Sequence, residues 1–311
     1  MRKCISISIP CYNEEDNVKL LVEDIEKEFQ NNLPEYDYEI HFIDNCSTDS
    51  TQQILRKICE NNTHVKAIFN GKNFRLTSKF YGIIQTYGDC TISMVSDFQD
   101  PIAMITPMVK KWEEGYKIVI GVKEITQENH IMSLIREKYY KFIQRHSRTD
   151  QIQNFNGFGL YDKSFIDFLR KIEDPMPSFR GLIGEYGVDV FKIPYNQPKR
   201  KSGKSKNKLI NLYNNAIINI VSYTKIGIRF FMGLGILLFI FSLILGIIKL
   251  ISILVNLQLL SNISFMYFYI TWLVSIQMIF IGVIGEYILE MNYRLLKRPL
   301  VIEKERINYN E

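Results

Sequence analysis

The side chains with the clearest chemical potential lie in three polar clusters, residues 10–15 (PCYNEE), 44–49 (DNCSTD) and 96–101 (SDFQDP). In the third cluster, Asp97 and Gln99 carry the hard oxygen atoms that Mg²⁺ or Mn²⁺ prefers as ligands. An ion bound there would hold a diphosphate. Asp44 and Asp49 of the second cluster offer acceptors for hydrogen bonds from a base or a ribose. Together, the clusters predict a site for a metal-held nucleoside diphosphate.

Each cluster has a simpler interpretation when it is considered alone. Asn, Asp, Ser and Thr satisfy free backbone amides at turns and helix N-termini, so any one cluster could be a capped helix start. The recurrence of the pattern in three places favours a shared binding site.

The elements that must position these clusters follow from hydrophobic periodicity. Apolar, β-branched runs predict strands over residues 4–10, 38–44, 65–69, 91–96 and 117–122. Amphipathic spacing predicts helices over residues 18–29, 51–59, 77–87 and 102–114. This alternation is typical of an α/β fold with a mostly parallel sheet and helices on both faces. Ligands of such sheets bind beyond the carboxyl ends of the strands, where the three clusters fall.

Two long stretches near the C-terminus contain no charged residue, residues 230–248 and 250–285. Their lengths predict two transmembrane helices, near residues 230–254 and 264–285, with a polar turn between them. Basic residues flank both outer ends, including Arg229 and Arg298, while the turn has none, so both termini are expected in the cytosol. A buried helical hairpin in a soluble protein is the alternative.

These patterns predict four regions: a cytosolic domain over residues 1–208, a juxtamembrane amphipathic helix over 209–228, two transmembrane helices within 229–290 and a cytosolic tail over 291–311. The expected location is the inner (plasma) membrane. The net charge of +5 is concentrated in residues 199–208, which hold no acid. A local basic run favours phosphate or anionic lipid as its partner rather than nucleic acid.

The number and spacing of the cysteines argue against a zinc-binding protein and against a disulfide-rich secreted domain. The five cysteines all lie within residues 4–90, and they lack both zinc-site spacing and the framework of a secreted mini-domain. We interpret them as reduced core thiols. The N-terminus has only a short apolar run, interrupted by Pro10, and it does not fit a signal peptide.

Four ordered motifs resemble a known family. They are ISIPCYNEEDNV, FIDNCSTDST, SDFQDP and RKSGKSK, followed after the apolar stretches by GEYILEMNYRLLKRP. They are similar to motifs of the metal-dependent GT-A glycosyltransferases that act on polyprenyl phosphates, the group of dolichol-phosphate mannose synthase and bactoprenol glucosyltransferase. The resemblance extends over nearly the whole chain. It implies a GT-A, Rossmann-like domain with a C-terminal two-helix anchor.

The resemblance also implies roles for individual residues. Asp97 and Gln99 would hold Mg²⁺ or Mn²⁺ on the sugar diphosphate. The nucleotide would be held by Pro10, Tyr12, Glu14, Asp44 and Asp49, and phosphate by Arg200, Ser205 and Lys206.

The chain departs from the family pattern at four positions. Val95 replaces the first aspartate of Asp-x-Asp, and Asn45 replaces an aspartate in the second cluster. Gly157 and Gly159 stand where the family has an aspartate and an arginine, so the family's base assignment cannot be carried over to this chain. A lipid phosphate is already an anion near neutral pH and can attack without a strong base.

Glu185, with Asp100 behind it, is the candidate if the reaction needs a carboxylate base. A simple ion pair between Glu185 and Arg180 is the alternative for this residue.

The expected activity is transfer of a sugar, with UDP-hexose as the donor, to undecaprenyl or a similar polyprenyl phosphate. The expected mechanism is a metal-dependent, inverting displacement at the cytosolic face of the bilayer. The alternative is a non-catalytic, transferase-like membrane partner of a glycan assembly or flippase system. Oligomeric state is open, and the paired helices could pack into a homo-oligomer.

Overall fold

The computed structural model describes residues 2–124, 155–172, 179–198 and 299–309, together with isolated positions between 251 and 295. The four continuous ranges belong to one compact unit. A second unit comprises residues 141–148 and 207–296, of which only the isolated positions are described.

The first unit is built on an eight-stranded sheet. Its strands in chain order are β1 Cys4–Cys11, β2 Asp37–Asp44, β3 Val65–Asn70, β4 Cys90–Ser93, β5 Ile118–Lys123, β6 Gly159–Asp162, β7 Val190–Tyr195 and β8 Glu303–Ile307. Their spatial order is β7-β5-β6-β4-β1-β2-β3-β8. The five strands expected from periodicity are all present, β4 ending three residues earlier than predicted, at Ser93.

The sheet is mixed in direction. Strands β4, β1, β2 and β3 are mutually parallel, and β5 is parallel to β7. Strand β6 lies between β4 and β5 and runs antiparallel to both, and β8 runs antiparallel to β3 at the edge. Neither antiparallel strand was predicted, because β6 has only four residues and β8 (EKERI) is mostly charged.

Helices cover both faces of the sheet, as the alternation predicts. They are α1 Val18–Asn32, α2 Thr51–Asn61, α3 Leu76–Ile84, α4 Ile105–Glu113, α5 Lys163–Arg170 and α6 Phe179–Tyr186. Apolar side chains of α1, α2 and α4 join one buried cluster, exemplified by Leu21, Leu55 and Met108. Those of α3, α5 and α6 join a second cluster, exemplified by Ile83 and Phe165.

The C-terminal segment is part of the sheet unit. Residues 303–307, which the sequence pattern assigns to a tail, form β8 on the edge of β3. Arg56 of α2 bonds both carboxylate oxygens of Glu305, with its Nη2 2.6 Å from Oε2. The amide of Asn308 donates to the carbonyl oxygens of Cys59 and Val65, each at 2.8 Å. The strand therefore covers an edge that would otherwise expose unpaired backbone groups.

The predicted transmembrane helices and the juxtamembrane helix lie almost entirely outside the described residues. Within the described part of the chain, no helix combines the length and the apolar character needed to cross a membrane.

Candidate active site

The sheet brings the three polar clusters to one edge. Strands β4, β1 and β2 are parallel neighbours, so their carboxyl ends lie side by side. Residues 10–15 follow β1, residues 44–49 follow β2, and residues 94–101 follow β4. We call this edge, with its three loops and the loop after β3, the strand-end rim.

Backbone strain is concentrated in the same place. Each of the four loops contains one residue other than glycine with a positive φ: Asn13 at 57°, Cys46 at 62°, Arg75 at 54° and Phe98 at 59°. Only asparagine among these tolerates that conformation well, and a bulky residue such as Phe98 is strained there. Strained backbone of this kind clusters at functional sites, because the surrounding structure must hold it in place.

The first two loops are joined by side chain to backbone hydrogen bonds. The Asn13 backbone N–H donates to Ser47 Oγ at 2.9 Å, and the Thr48 backbone N–H donates to Asn13 Oδ1 at 2.8 Å. The Glu14 N–H donates to Thr51 Oγ1 at 2.8 Å. These bonds couple the β1 loop to the start of α2.

Asp44 is fully buried at the end of β2. Its Oδ2 accepts hydrogen bonds from the Ser47 N–H at 3.1 Å and from Gln52 Nε2 at 2.6 Å. Its Oδ1 is buried and has no hydrogen-bond partner among the described residues. An unsatisfied buried carboxylate oxygen is costly, and a donor on a bound ligand would relieve that cost.

Asp49 shows the capping geometry that its sequence context also allows. Its Oδ1 accepts from the Thr51 N–H at 3.0 Å, at the start of α2. Its Oδ2 lies 3.4 Å from the Glu15 nitrogen. The carboxylate therefore shapes the loop.

Asp97 and Gln99 lie in the loop after β4. Asp97 is buried, and its Oδ1 accepts the Gln99 N–H at 3.2 Å. Among the described residues, no group of three His, Cys, Asp or Glu side chains could hold a metal ion. One carboxylate and one amide suit Mg²⁺ or Mn²⁺ when substrate phosphates and water supply the other ligands, which is common for Mg²⁺. The donor types therefore fit Mg²⁺ or Mn²⁺.

Asp100 is fully buried three residues further along this loop. Its Oδ2 accepts the Val95 N–H at 3.0 Å. Its Oδ1 accepts Asn156 Nδ2 and the Tyr195 hydroxyl, each at 3.1 Å. Burial is the main cause of the raised pKa of Tyr195, and the nearby charge of Asp100 raises that pKa further. The phenol therefore keeps its proton and donates a hydrogen bond. These contacts are those of a residue that positions the loop.

Two of the residues that replace the family pattern, Asn45 and Gly159, have structural reasons. Asn45 Oδ1 lies 3.3 Å from both Asn70 Nδ2 and the Phe74 nitrogen, and both of these are donors. A Cβ on Gly159 would lie 2.6 Å from Val119 O, because β6 and β5 pack backbone to backbone there. An arginine side chain at position 159 would require the two strands to separate.

Of the remaining predicted site residues, three lie in or directly after β1. Pro10 lies within β1, and Tyr12 and Glu14 follow it at the rim, where Glu14 accepts a hydrogen bond from the Asn17 side chain at 2.6 Å. Glu185 is exposed near the end of α6, and the described contacts do not join it to the rim. Arg200, Ser205 and Lys206 lie outside the described residues.

Three supporting residues were missed by sequence reasoning. Asn70 at the end of β3, Asn156 shortly before β6 and Tyr195 at the end of β7 hold the loops through side-chain hydrogen bonds. Asn70 is the last residue of β3, and a polar residue at a strand end was the signal available for it. Asn156 and Tyr195 are far from the clusters in sequence, so only the fold relates them to Asp100.

Comparison with known proteins identifies the family. Glycosyl transferase family 2 matches residues 6–167 of this chain. CsbB of Bacillus subtilis (strain 168), provisionally named a glycosyltransferase, is 32% identical over 302 residues, which cover 97% of this chain and 91% of that protein. The bactoprenol glucosyl transferase of Shigella phage SfX is 26% identical over 304 residues, covering 97% of this chain and 99% of that protein. The prophage-derived bactoprenol glucosyl transferase of Shigella flexneri is also 26% identical, over 97% of both chains. The resemblance found in the motifs is confirmed at this level, and the chain is a glycosyltransferase that belongs to glycosyl transferase family 2.

Proposed function

We propose that the protein transfers a sugar from a nucleotide-sugar, with UDP-hexose as the expected donor, to a polyprenyl phosphate such as undecaprenyl phosphate. The observation that carries this proposal is the convergence of three carboxylate and amide loops on one strand-end rim. Relatives named bactoprenol glucosyl transferase, which align over almost the entire chain, support a polyprenyl acceptor.

The nucleoside part of the donor is assigned to the loops after β1 and β2. The unpartnered Oδ1 of Asp44 supports this assignment, because a ligand N–H or O–H would satisfy it. Asp49 and the Asn13 bonds keep the two loops together. The site is therefore largely formed before the donor arrives.

Asp97 and Gln99 would hold Mg²⁺ or Mn²⁺ at the third loop. The ion would supply positive charge that offsets the negative charge of the diphosphate leaving group. Asp100 keeps this loop in place through its bonds to Val95, Asn156 and Tyr195.

The chemical step is a single displacement that inverts the anomeric carbon. An oxygen of the acceptor phosphate forms a bond to the sugar carbon as the bond from that carbon to the diphosphate oxygen breaks. The acceptor carries its negative charge before the reaction, so alignment and leaving-group stabilisation provide the catalysis. Glu185 stays a prediction for a carboxylate base.

The acceptor is expected to reach the rim from the bilayer. Residues 230–254 and 264–285 are the proposed membrane helices, which would place the catalytic unit on the cytosolic face. Apolar side chains at isolated described positions within these ranges, such as Leu254, Met266 and Ile281, are exposed, which suits a lipid environment.

The test is a transfer assay with the full chain, labelled nucleotide-sugars, Mn²⁺ or Mg²⁺, and polyprenyl phosphate. We expect a labelled lipid from one donor and loss of most product when the ion is chelated. Asp97→Ala should lower the transfer rate by about a hundredfold, whereas Asp24→Ala on α1 is the matched control and should have no effect. Absence of labelled lipid with every common donor would rule out the proposed acceptor and donor.

Calorimetry addresses the alternative of a non-catalytic partner. A catalytic protein should bind its donor more tightly with Mn²⁺ present, and Asp97→Ala should abolish that difference. A pseudoenzyme should show no metal-dependent binding, and the substitution should change nothing.

A further inference from the structure

Lys79 places an ammonium group beside the strand-end rim. It lies in the first turn of α3, shortly after the carboxyl end of β3, and its side chain is half-buried. Its Nζ donates a hydrogen bond to the backbone oxygen of Asn156 at 3.1 Å. The adjacent residues on either side, Ser78 and Phe80, are buried.

The ammonium occupies the space that a side chain at position 157 would take. A Cβ built on Gly157 would lie 2.9 Å from Lys79 Nζ and 3.1 Å from its Cε. Gly157 also has a φ of +90°, a conformation that side-chain-bearing residues rarely adopt. The glycine therefore leaves room for the end of the lysine.

Asn156 connects this ammonium to the predicted metal-binding loop. The backbone oxygen of Asn156 accepts from Lys79, while its side chain donates to Asp100 Oδ1 at 3.1 Å. Asp100 in turn holds the Val95 N–H, at the start of the loop that carries Asp97. Lys79 is thus fixed to the same scaffold as the loop that is expected to face the diphosphate.

The charge of the rim makes a cation there significant. The loops after β1, β2 and β4 contribute carboxylates, including Glu14, Asp44 and Asp97, which would repel a bound phosphate. A half-buried ammonium is less screened by solvent than a surface lysine, and it is a compact point charge suited to phosphate oxygens.

We propose that the Lys79 ammonium binds a phosphate oxygen of the reactants and stabilises its charge during transfer. The phosphate could belong to the donor diphosphate or to the phosphomonoester of the lipid acceptor, and the chemistry of the contact is the same. This inference rests on the proposed function and adds a residue to that site.

The test compares Lys79→Met with Lys79→Arg, using Lys57→Met on the exposed face of α2 as the matched control. Lys79→Met should reduce kcat/KM for transfer about ten- to a hundredfold, the effect of losing one charge-assisted hydrogen bond. Lys79→Arg should restore part of the activity. Thermal melting should be nearly unchanged in all three variants, which separates a role in binding from a role in folding.

Two measurements identify the phosphate. If Lys79 contacts the diphosphate, Lys79→Met weakens binding of the nucleotide-sugar in calorimetry without acceptor. If it contacts the lipid phosphate, donor binding is unchanged and KM for polyprenyl phosphate rises. Either result supports the proposal.

Gly157→Ala provides an independent variant, because the added methyl group would displace the ammonium. It should lower transfer, through displacement of the ammonium together with the backbone strain of an alanine at a φ of +90°. Equal kcat/KM and equal donor affinity in wild type and Lys79→Met would overturn the inference. Failure of the wild type to form labelled lipid would instead contradict the proposed acceptor, and the donor titration would still test Lys79.

Discussion

Asp100 accepts three hydrogen bonds in the interior of the rim, from a backbone amide, a side-chain amide and a phenol. A carboxylate that is surrounded by donors stabilises their arrangement by ionic hydrogen bonds. The three donors come from the β4 loop, the segment before β6, and β7. One buried side chain therefore sets the relative position of three segments, and the strained φ of Phe98 depends on that support.

Asp100→Asn tests this role at the scale of one residue. The amide has the same shape but only one acceptor oxygen, so a donor of the new NH₂ group would face Val95 N–H or the Asn156 and Tyr195 donors. We expect a stability loss of about 1–3 kcal/mol in denaturant unfolding, with reduced transfer activity. Tyr195→Phe removes only one donor and should cost less. An Asp100→Asn variant as stable as the wild type would contradict the positioning role.

The β5–β6 pairing is a constraint at the scale of elements. A Cβ on Gly159 would approach Val119 O to 2.6 Å and Ile120 Cα to 3.1 Å, and both are backbone atoms that cannot rotate away. Gly159→Ala should therefore destabilise the unit by roughly 1–3 kcal/mol, the usual cost of overpacking. Gly71→Ala is the control, since its nearest neighbour, Ile302 O, would lie at 3.4 Å. Equal melting temperatures for the two variants would contradict the close packing.

The C-terminal strand offers a second test at this scale. Asn308 has a φ of 61° and donates to two carbonyl oxygens at 2.8 Å, and this joins the end of β8 to α2 and β3. Asn308→Ala loses these bonds and adds strain, so we expect a loss of about 2 kcal/mol. Asn308→Gly keeps the backbone conformation and loses only the bonds, so it should be destabilised less. Measured unfolding free energies that rank the two variants in the opposite order would contradict this account.

At the scale of the whole molecule, a buried polar group on the sheet predicts the response to acid. His41 of β2 is fully buried; its Nε2 lies 2.8 Å from Glu39 Oε1 and its Nδ1 lies 2.7 Å from the Tyr309 hydroxyl. Lys66 and Arg306 are the other charged groups near it. Burial lowers the pKa of His41, and the opposing effect of Glu39 is smaller.

Stability should therefore fall as the pH drops below about 6.5, because the unfolded histidine takes up a proton before the native one does. Burial raises the pKa of Glu39, but hydrogen bonds from His41, Lys66 and Ser6 lower it more. The stabilisation that ionised Glu39 provides is therefore lost only when the pH falls below 4.5, the ordinary pKa of a glutamate. We expect unfolding free energy to decline by up to about 1.4 kcal/mol per pH unit below 6.5. His41→Gln should flatten that slope, and an unchanged slope would exclude His41 as its cause.

Much of the site was predictable because its residues follow strands directly in the chain. The runs before Glu14, Asp44 and Asp97 are apolar and β-branched, and parallel strands bring their carboxyl ends together. The same local reasoning found α1, α2, α3 and α4, whose apolar spacing is regular. It missed β6, β7 and β8; β6 is short and β8 is a charged edge strand, so both carry little periodicity and form only through their partners.

Local sequence specifies which chemical groups this glycosyltransferase carries, and the order of strands and loops that brings them to one rim. Which of those groups support a loop depends on contacts between segments that are distant in the chain. Asp97 and Asp100 are alike in sequence, yet the donors around Asp100 come from Asn156 and Tyr195, which are distant in the chain. The position of Lys79 against Gly157 was decided in the same way, since α3 and the segment before β6 meet only in the fold. Local pattern specifies elements, whereas contacts between distant residues depend on how the elements pack.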